Sequence, residues 1–292
     1  MSTRTATTDS ALMAHLEEFL ADGYTVMRAV FGPDEVTRYR AANERIVTKV
    51  KAQPEAYPTR YTARTGGTVD TWGVNNIFEP RLYEADLASI FDHRRFMAFP
   101  ELVLGVHLRF WSAHSLWSPD HVDYELNWHK DNHETHFDPT GATRHVQFNV
   151  CLTPDESFLA VPSSHRRPLT GPEQRQFDTF GVDPLPGQVT VGCQAGDVIY
   201  MNYHMLHRGS CRNGVHRRTL HMNVQSMAEP TGGQVTWGYL REPGYLDRVE
   251  PGLARLMRRA IEWDDAHPID RAEARRRLRV RRDVRNHIAD GR

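Results

Sequence analysis

Apolar residues along this chain change rhythm twice. Over residues 10–52 they recur at helical spacing on either side of a short alternating run. Leu12, Leu16, Phe19 and Leu20 share one face of a helix that Ser10 opens and Asp22-Gly23 closes. Tyr24–Val30 alternates like a strand, and Gly32-Pro33-Asp34 opens a second helix that runs to about Lys51. Residues 53–85 lose the periodicity and are rich in Pro, Thr, Gly and Tyr. They read as a surface loop, or as a lid or pocket wall. From about residue 101 the pattern becomes short strands punctuated by turns: Val103–Trp111, Asn127–Asp131, Arg144–Leu152, Phe158–Val161, Gln188–Cys193, Asp197–Asn202 and Arg217–Met227. Strands in series without helices between them predict a β-sandwich or barrel rather than a parallel sheet. Beyond residue 245 the chain turns helical again. The class expected is therefore mainly β with flanking helices.

Composition narrows the chemistry mostly by exclusion. Net charge is −1, so no global field favours nucleic acid or an anionic membrane. No window approaches the apolar length of a membrane span, and the first ten residues lack the apolar core of a signal peptide. Cys151, Cys193 and Cys211 form no zinc-type spacing, and their odd number reads as reduced thiols in a cytoplasmic protein.

The chemistry concentrates in Asn127-Trp128-His129-Lys130-Asp131. In a strand, residues two apart share a face, so His129 and Asp131 reach one point together. His207, expected at a strand end beyond Gly196–Met201, supplies a third group. Two histidines and one carboxylate hold one face of Fe(II) and leave the opposite positions open. His133-Glu134-Thr135-His136 is one residue short of the zinc-protease motif, so those histidines read as loop residues near the site mouth. The last strand has a polar parity: Arg217, Thr219, His221, Asn223 and Gln225 on one face, Leu220, Met222 and Val224 on the other.

These motifs, with Phe19-Leu-Ala-Asp-Gly-Tyr24, Val161-Pro-Ser-Ser-His165, Gly196-Asp197 and Arg217-Arg218-Thr219-Leu220, occur in the order found in the phytanoyl-CoA dioxygenase family, which the chain resembles over about residues 12–228. Ser163 stands where that family's Pro-Gly-Ser-His turn has glycine. The resemblance implies a double-stranded β-helix (jelly roll, cupin-like) core with helices outside. It implies a Fe(II)- and 2-oxoglutarate-dependent oxygenase that consumes O2, with His129, Asp131 and His207 as iron ligands. It also implies a basic residue on the last core strand for the distal carboxylate of 2-oxoglutarate. Parity selects Arg217 over Arg218, with Thr219 as a second donor, because an Arg fork holds a carboxylate through paired hydrogen bonds. Gln147 and Asn149, or alternatively His107, Arg109 and Trp111, are candidates for the rest of that pocket. On this reading the chain is a single oxygenase domain, 1–292, with N-terminal helices and a pocket loop (10–100), the jelly-roll core (101–228) and a helical extension (229–292).

The segments expected to wall the pocket combine aromatic residues, among them Tyr57, Tyr61, Trp72, Trp117 and Tyr124, with the carboxylates Asp70, Asp120, Asp123 and Glu134. That mixture suits a sugar- or aminocyclitol-like natural product, hydroxylated or closed oxidatively into a ring such as an orthoester. An amino-acid or acyl hydroxylase is the alternative, and a non-catalytic metal-binding jelly roll is a remote one. The expected partner is a polar small molecule, with no nucleic acid and no membrane. The arginines at 271 and 275–282 read as a solvated helix or a subunit contact, and oligomeric state is not legible.

Overall fold

A computed structural model describes residues 2–63, 69–131, 137–231 and 238–268, with the side chains of residues 2–9, 63 and 69 left out of the description. The helices are α1 (Ser2–Asp22), α2 (Pro33–Ala52), α3 (Ala85–Ala88), α4 (Arg94–Leu104), α5 (Gly171–Asp178) and α6 (Pro251–Ala266). The strands are β1 (Tyr24–Met27), β2 (Thr59–Ala63), β3 (Val69–Asn75), β4 (Leu108–Trp117), β5 (Tyr124–Glu125), β6 (His145–Cys151), β7 (Phe158–Ala160), β8 (Val189–Thr190), β9 (Val198–Asn202), β10 (His207–Cys211) and β11 (Arg218–Ser226). They form a seven-stranded sheet in the order β1-β9-β6-β11-β4-β3-β2 and a four-stranded sheet in the order β5-β10-β7-β8. Every pairing is antiparallel. This is the double-stranded β-helix.

The large sheet has two unlike faces, and side-chain alternation explains both. Its outer face carries Val146, Phe148, Val150, Leu220, Met222 and Val224, all fully buried in the main core with residues of α1, α2, α4 and α6. Phe148 meets Phe96 of α4 edge-on, with ring centroids 4.9 Å apart. The inner face carries the opposite parity. Thr219, His221, Asn223 and Gln225 of β11 pair across from Cys151, Asn149, Gln147 and His145 of β6. The polar parity read from the last strand is thus a wall facing the second sheet.

Two tight turns place the elements that frame the site. Gly23 stops α1 at φ +89, and a Cβ there would sit 2.6 Å from His165 Nδ1. Ser163 takes φ +62, the left-handed conformation that glycine adopts without strain. Its amide and hydroxyl donate to the carbonyls of Asp22 and Ala21 at the end of α1, which offsets that cost.

Several expectations are corrected. Within 53–85, expected as a surface loop, lid or pocket wall, Thr59–Ala63 and Val69–Asn75 are strands: β2 and β3 extend the large sheet, with β3 paired to β4. The expected strand Val103–Trp111 is split, because α4 runs to Leu104 and β4 begins at Leu108. Asn127–Asp131 is not a strand; only His129 forms a β-bridge, to His207. The first helix starts at Ser2, so Ser10 lies inside it, and α5 interrupts the strand series. Cys151 and Cys193 form a disulfide that ties β6 to the segment after β8, while Cys211 is free and buried. The reduced-thiol expectation fails for the first two because the fold brings together residues 42 apart in sequence. No helix among the described residues is long and apolar enough to cross a membrane. Glu134, His133, His136 and the arginines at 271 and 275–282 lie outside the described residues.

Candidate active site

His129, Asp131 and His207 converge between the two sheets. Each offers a ligand atom, and these atoms lie within 4.8 Å of one another. The convergence starts with backbone chemistry. His129 N donates to His207 O and His207 N donates to His129 O, both at 3.0 Å, which sets the imidazoles side by side with centroids 4.4 Å apart. Lys130, between the other two, is buried, and its Nζ lies 3.5 Å from Ser164 O.

Each imidazole is held through its second nitrogen. His129 Nδ1 lies 2.7 Å from Asn127 O, and His207 Nδ1 lies 3.0 Å from Met205 O. A carbonyl oxygen only accepts, so both Nδ1 atoms donate, which turns both Nε2 atoms toward Asp131. Those Nε2 atoms stand 3.7 Å and 3.8 Å from Asp131 Oδ1 and Oδ2. Asp131 Oδ2 is buried without a hydrogen-bond partner. Two imidazole Nε2 atoms around an unsatisfied carboxylate oxygen make a donor set that fits a divalent transition metal.

The carboxylate-binding candidates gather near one end of the barrel, at the start of β11. Arg217 is 3% exposed and Thr219 fully buried, whereas Arg218 points away and pairs with Glu44 of α2. Arg217 and Thr219 do converge on a carboxylate oxygen, as parity predicted, but it belongs to the protein. Arg217 Nε donates to Asp155 Oδ2 at 2.7 Å and Thr219 Oγ1 donates to the same atom at 2.5 Å. Arg217 Nη1 donates to the Tyr124 hydroxyl. Burial would raise the Asp155 pKa, but the Arg217 charge and hydrogen bonds from Thr219 and the Ser157 amide outweigh it and leave it below the ordinary value. Asp155 escaped sequence reasoning: it sits in a Thr-Pro-Asp-Glu turn with no periodic signal.

Gln147 and Asn149 lie on the inner face and are nearly buried, and Gln147 Nε2 and Asn149 Oδ1 have no partner. Buried polar atoms of this kind call for a ligand or water. The alternative set fares differently. Arg109 donates to the carbonyls of Ser226, Glu229 and Thr231 and lies over Trp263, so it braces backbone rather than a pocket. His107 is exposed ahead of β4. His145 bonds Asn223 and Gln225 and stacks on Tyr203 at 3.8 Å; burial pushes its pKa well below the ordinary value, so it is neutral.

Three of the four carboxylates expected in the substrate wall do other work. Asp70 accepts the backbone amides of Asp120, His121 and Val122. Asp120 pairs with Lys51, and Asp123 accepts from Asn213. Trp117 belongs to the main core, while Trp72 and Tyr124 stack with centroids 4.3 Å apart. His114 and His221 lie opposite one another on β4 and β11, their rings stacked at 5.7 Å.

Comparison with known proteins bears on the family and the fold. The family model for phytanoyl-CoA dioxygenase (PhyH) matches residues 19–219. The ectoine dioxygenase of Nocardia farcinica (strain IFM 10152) is 25% identical over 156 residues, 52% of this chain and 50% of that protein, so the match spans about half the length of that relative. Among solved structures, HygX from Streptomyces hygroscopicus, with nickel and 2-oxoglutarate bound, is similar at TM-score 0.52 and 19% identity, over 73% of this chain and 86% of that one. The epimerase SnoN from nogalamycin biosynthesis is similar at TM-score 0.55 and 20% identity, over 75% and 84%. The chain belongs to the phytanoyl-CoA dioxygenase family.

Proposed function

We propose that this protein oxidises a C–H bond of a polar small molecule, a sugar- or aminocyclitol-like natural product, by hydroxylation or oxidative ring closure. His129, Asp131 and His207 hold the iron; Arg217 receives the distal carboxylate of 2-oxoglutarate; Gln147 and Asn149 line the same cavity. The observation that carries the reading is the convergence of both imidazoles, each held through Nδ1, around Asp131 Oδ2, a buried oxygen with no hydrogen-bond partner. Iron with 2-oxoglutarate and O2 supplies the oxidant for C–H cleavage. The chain's own residues orient and exclude. The reciprocal amide bonds of His129 and His207 keep the ligand geometry, and Trp128, fully buried with its Nε1 donating to Asp183 O, packs behind it. Neutral His145 in its bonded network holds the inner wall polar without adding charge.

Polarity of the inner wall supports a hydroxylated substrate over a long acyl chain: β6 and β11 present amides, imidazoles and a hydroxyl inward. The natural-product assignment draws on the likeness to a structure from nogalamycin biosynthesis. The similarity to an ectoine dioxygenase favours a second reading, hydroxylation of a small amino-acid derivative. Succinate release by purified protein with Fe(II), 2-oxoglutarate and O2, measured against sugars, aminocyclitols, amino acids and acyl thioesters, tests both. Stimulation by acyl thioesters and by no polar compound rejects the polar-substrate reading.

A further inference from the structure

We propose that Asp155 limits the protein's affinity for 2-oxoglutarate by sharing Arg217 with the co-substrate's distal carboxylate. The inference rests on the co-substrate role given above to Arg217. A guanidinium has five N–H donors, and Arg217 uses two of them, Nε on Asp155 and Nη1 on Tyr124. The remaining three lie at the Nη end, where a second carboxylate can be received. Thr219 gives its hydroxyl proton to Asp155 Oδ2, so the co-substrate does not receive that donor.

Charge follows from the same contacts. Asp155 and Arg217 are 7% and 3% exposed, and together they are neutral. A distal carboxylate reaching Arg217 therefore meets hydrogen-bond donors without net attraction, and meets a like charge across one guanidinium. Asp155 is not free to swing aside. Its amide donates to Cys193 O and its carbonyl accepts from Cys193 N, at 3.1 Å and 2.9 Å, and Ser157 N donates to its Oδ1 at 2.7 Å. Cys193 is in turn disulfide-bonded to Cys151, which pairs directly with Thr219 across β6 and β11. The carboxylate is held on Arg217 by backbone on both sides. A buried arginine without a counter-charge is costly, so the residue that lets Arg217 fold inside the barrel also weakens its hold on the co-substrate.

Asp155→Asn tests this, because it keeps the size and an acceptor oxygen while removing the charge. Calorimetry on the Ni(II)-loaded full chain compares 2-oxoglutarate with 2-oxovalerate, which has the same oxo-acid end and no distal carboxylate. The variant is expected to bind 2-oxoglutarate about tenfold more tightly, the order expected on removing one like charge from a partly screened site. Binding of 2-oxovalerate is expected to stay within about twofold. A residue with a merely structural role shifts both acids together. Unchanged or weaker 2-oxoglutarate binding, or equal shifts for both acids, overturns the proposal. If the Asn variant does not fold, Asp155→Ser, which also removes the charge, carries the same test with the same expected direction. Failure of the wild-type protein to bind 2-oxoglutarate rejects the functional reading instead.

Discussion

Replacing Arg217 with Met isolates what the buried ion pair does for the fold. The side chain keeps an unbranched apolar stem and loses its charge, leaving Asp155 buried against Thr219 and the Ser157 amide alone. Stripping one partner from a buried pair costs about 3–5 kcal/mol, a large part of a typical domain's stability. The sign of the pH dependence follows from the Asp155 carboxyl. In the wild type its pKa lies below the ordinary 3.8, so it contributes stability above that value and loses it as pH falls through the folded value. Without Arg217, burial dominates, the pKa rises above the unfolded one, and Asp155 destabilises the fold until it is protonated. The gap between wild type and R217M is therefore widest near neutral pH and narrows in acid. Urea unfolding at about pH 7 and about pH 4 measures both ends. The double variant R217M/D155L removes both ions and is expected to recover at least about half of the loss. A loss below about 1 kcal/mol at neutral pH, or an equal loss at both pH values, refutes the reasoning.

Three further outcomes are expected. His129→Ala and Asp131→Ala each weaken Ni(II) binding by at least about 100-fold and abolish 2-oxoglutarate turnover with the circular dichroism spectrum unchanged, since two ligands rarely hold a metal that three are built to hold; full turnover in the double variant sinks the metal assignment. Replacing Cys151 and Cys193 together by Ala lowers stability by about 4 kcal/mol in the chain-entropy model for a loop closed across 42 residues; equal melting temperatures for the variant and the oxidised wild type would rule that out. Phe148→Ala opens a cavity among Phe91, Phe96 and Tyr200 and costs about 3–5 kcal/mol in chemical denaturation, with the m-value unchanged.

Much of the architecture is written in local pattern. The alternation of residues 144–152 and the parity of 217–227 predicted two strands, and the fold pairs them as β6 and β11, with an apolar face for the helices and a polar face inward. Gly32-Pro33-Asp34 announced α2 within one residue of its observed start, because helix entry depends on residues three or four apart. Where pattern was weak, it misled. Thr59–Ala63 and Val69–Asn75 became strands because an open edge of β4 was there to pair with, and pairing energy comes from the partner rather than from the segment itself.

The chemistry divides in the same way. Spacing put His129 and Asp131 on one face, the family resemblance implied them with His207 as ligands and a basic residue on the last strand, and parity chose Arg217 with Thr219. Tertiary structure alone decided what those groups touch. Long-range packing brought Asp155 onto Arg217 across 62 positions and joined Cys151 to Cys193 across 42. It also turned three of the four carboxylates expected at the substrate wall toward backbone amides, Lys51 and Asn213. A sequence shows which charges exist; which of them meet depends on the path the whole chain takes, and in a barrel closed by distant strands that path is set by contacts far apart in sequence.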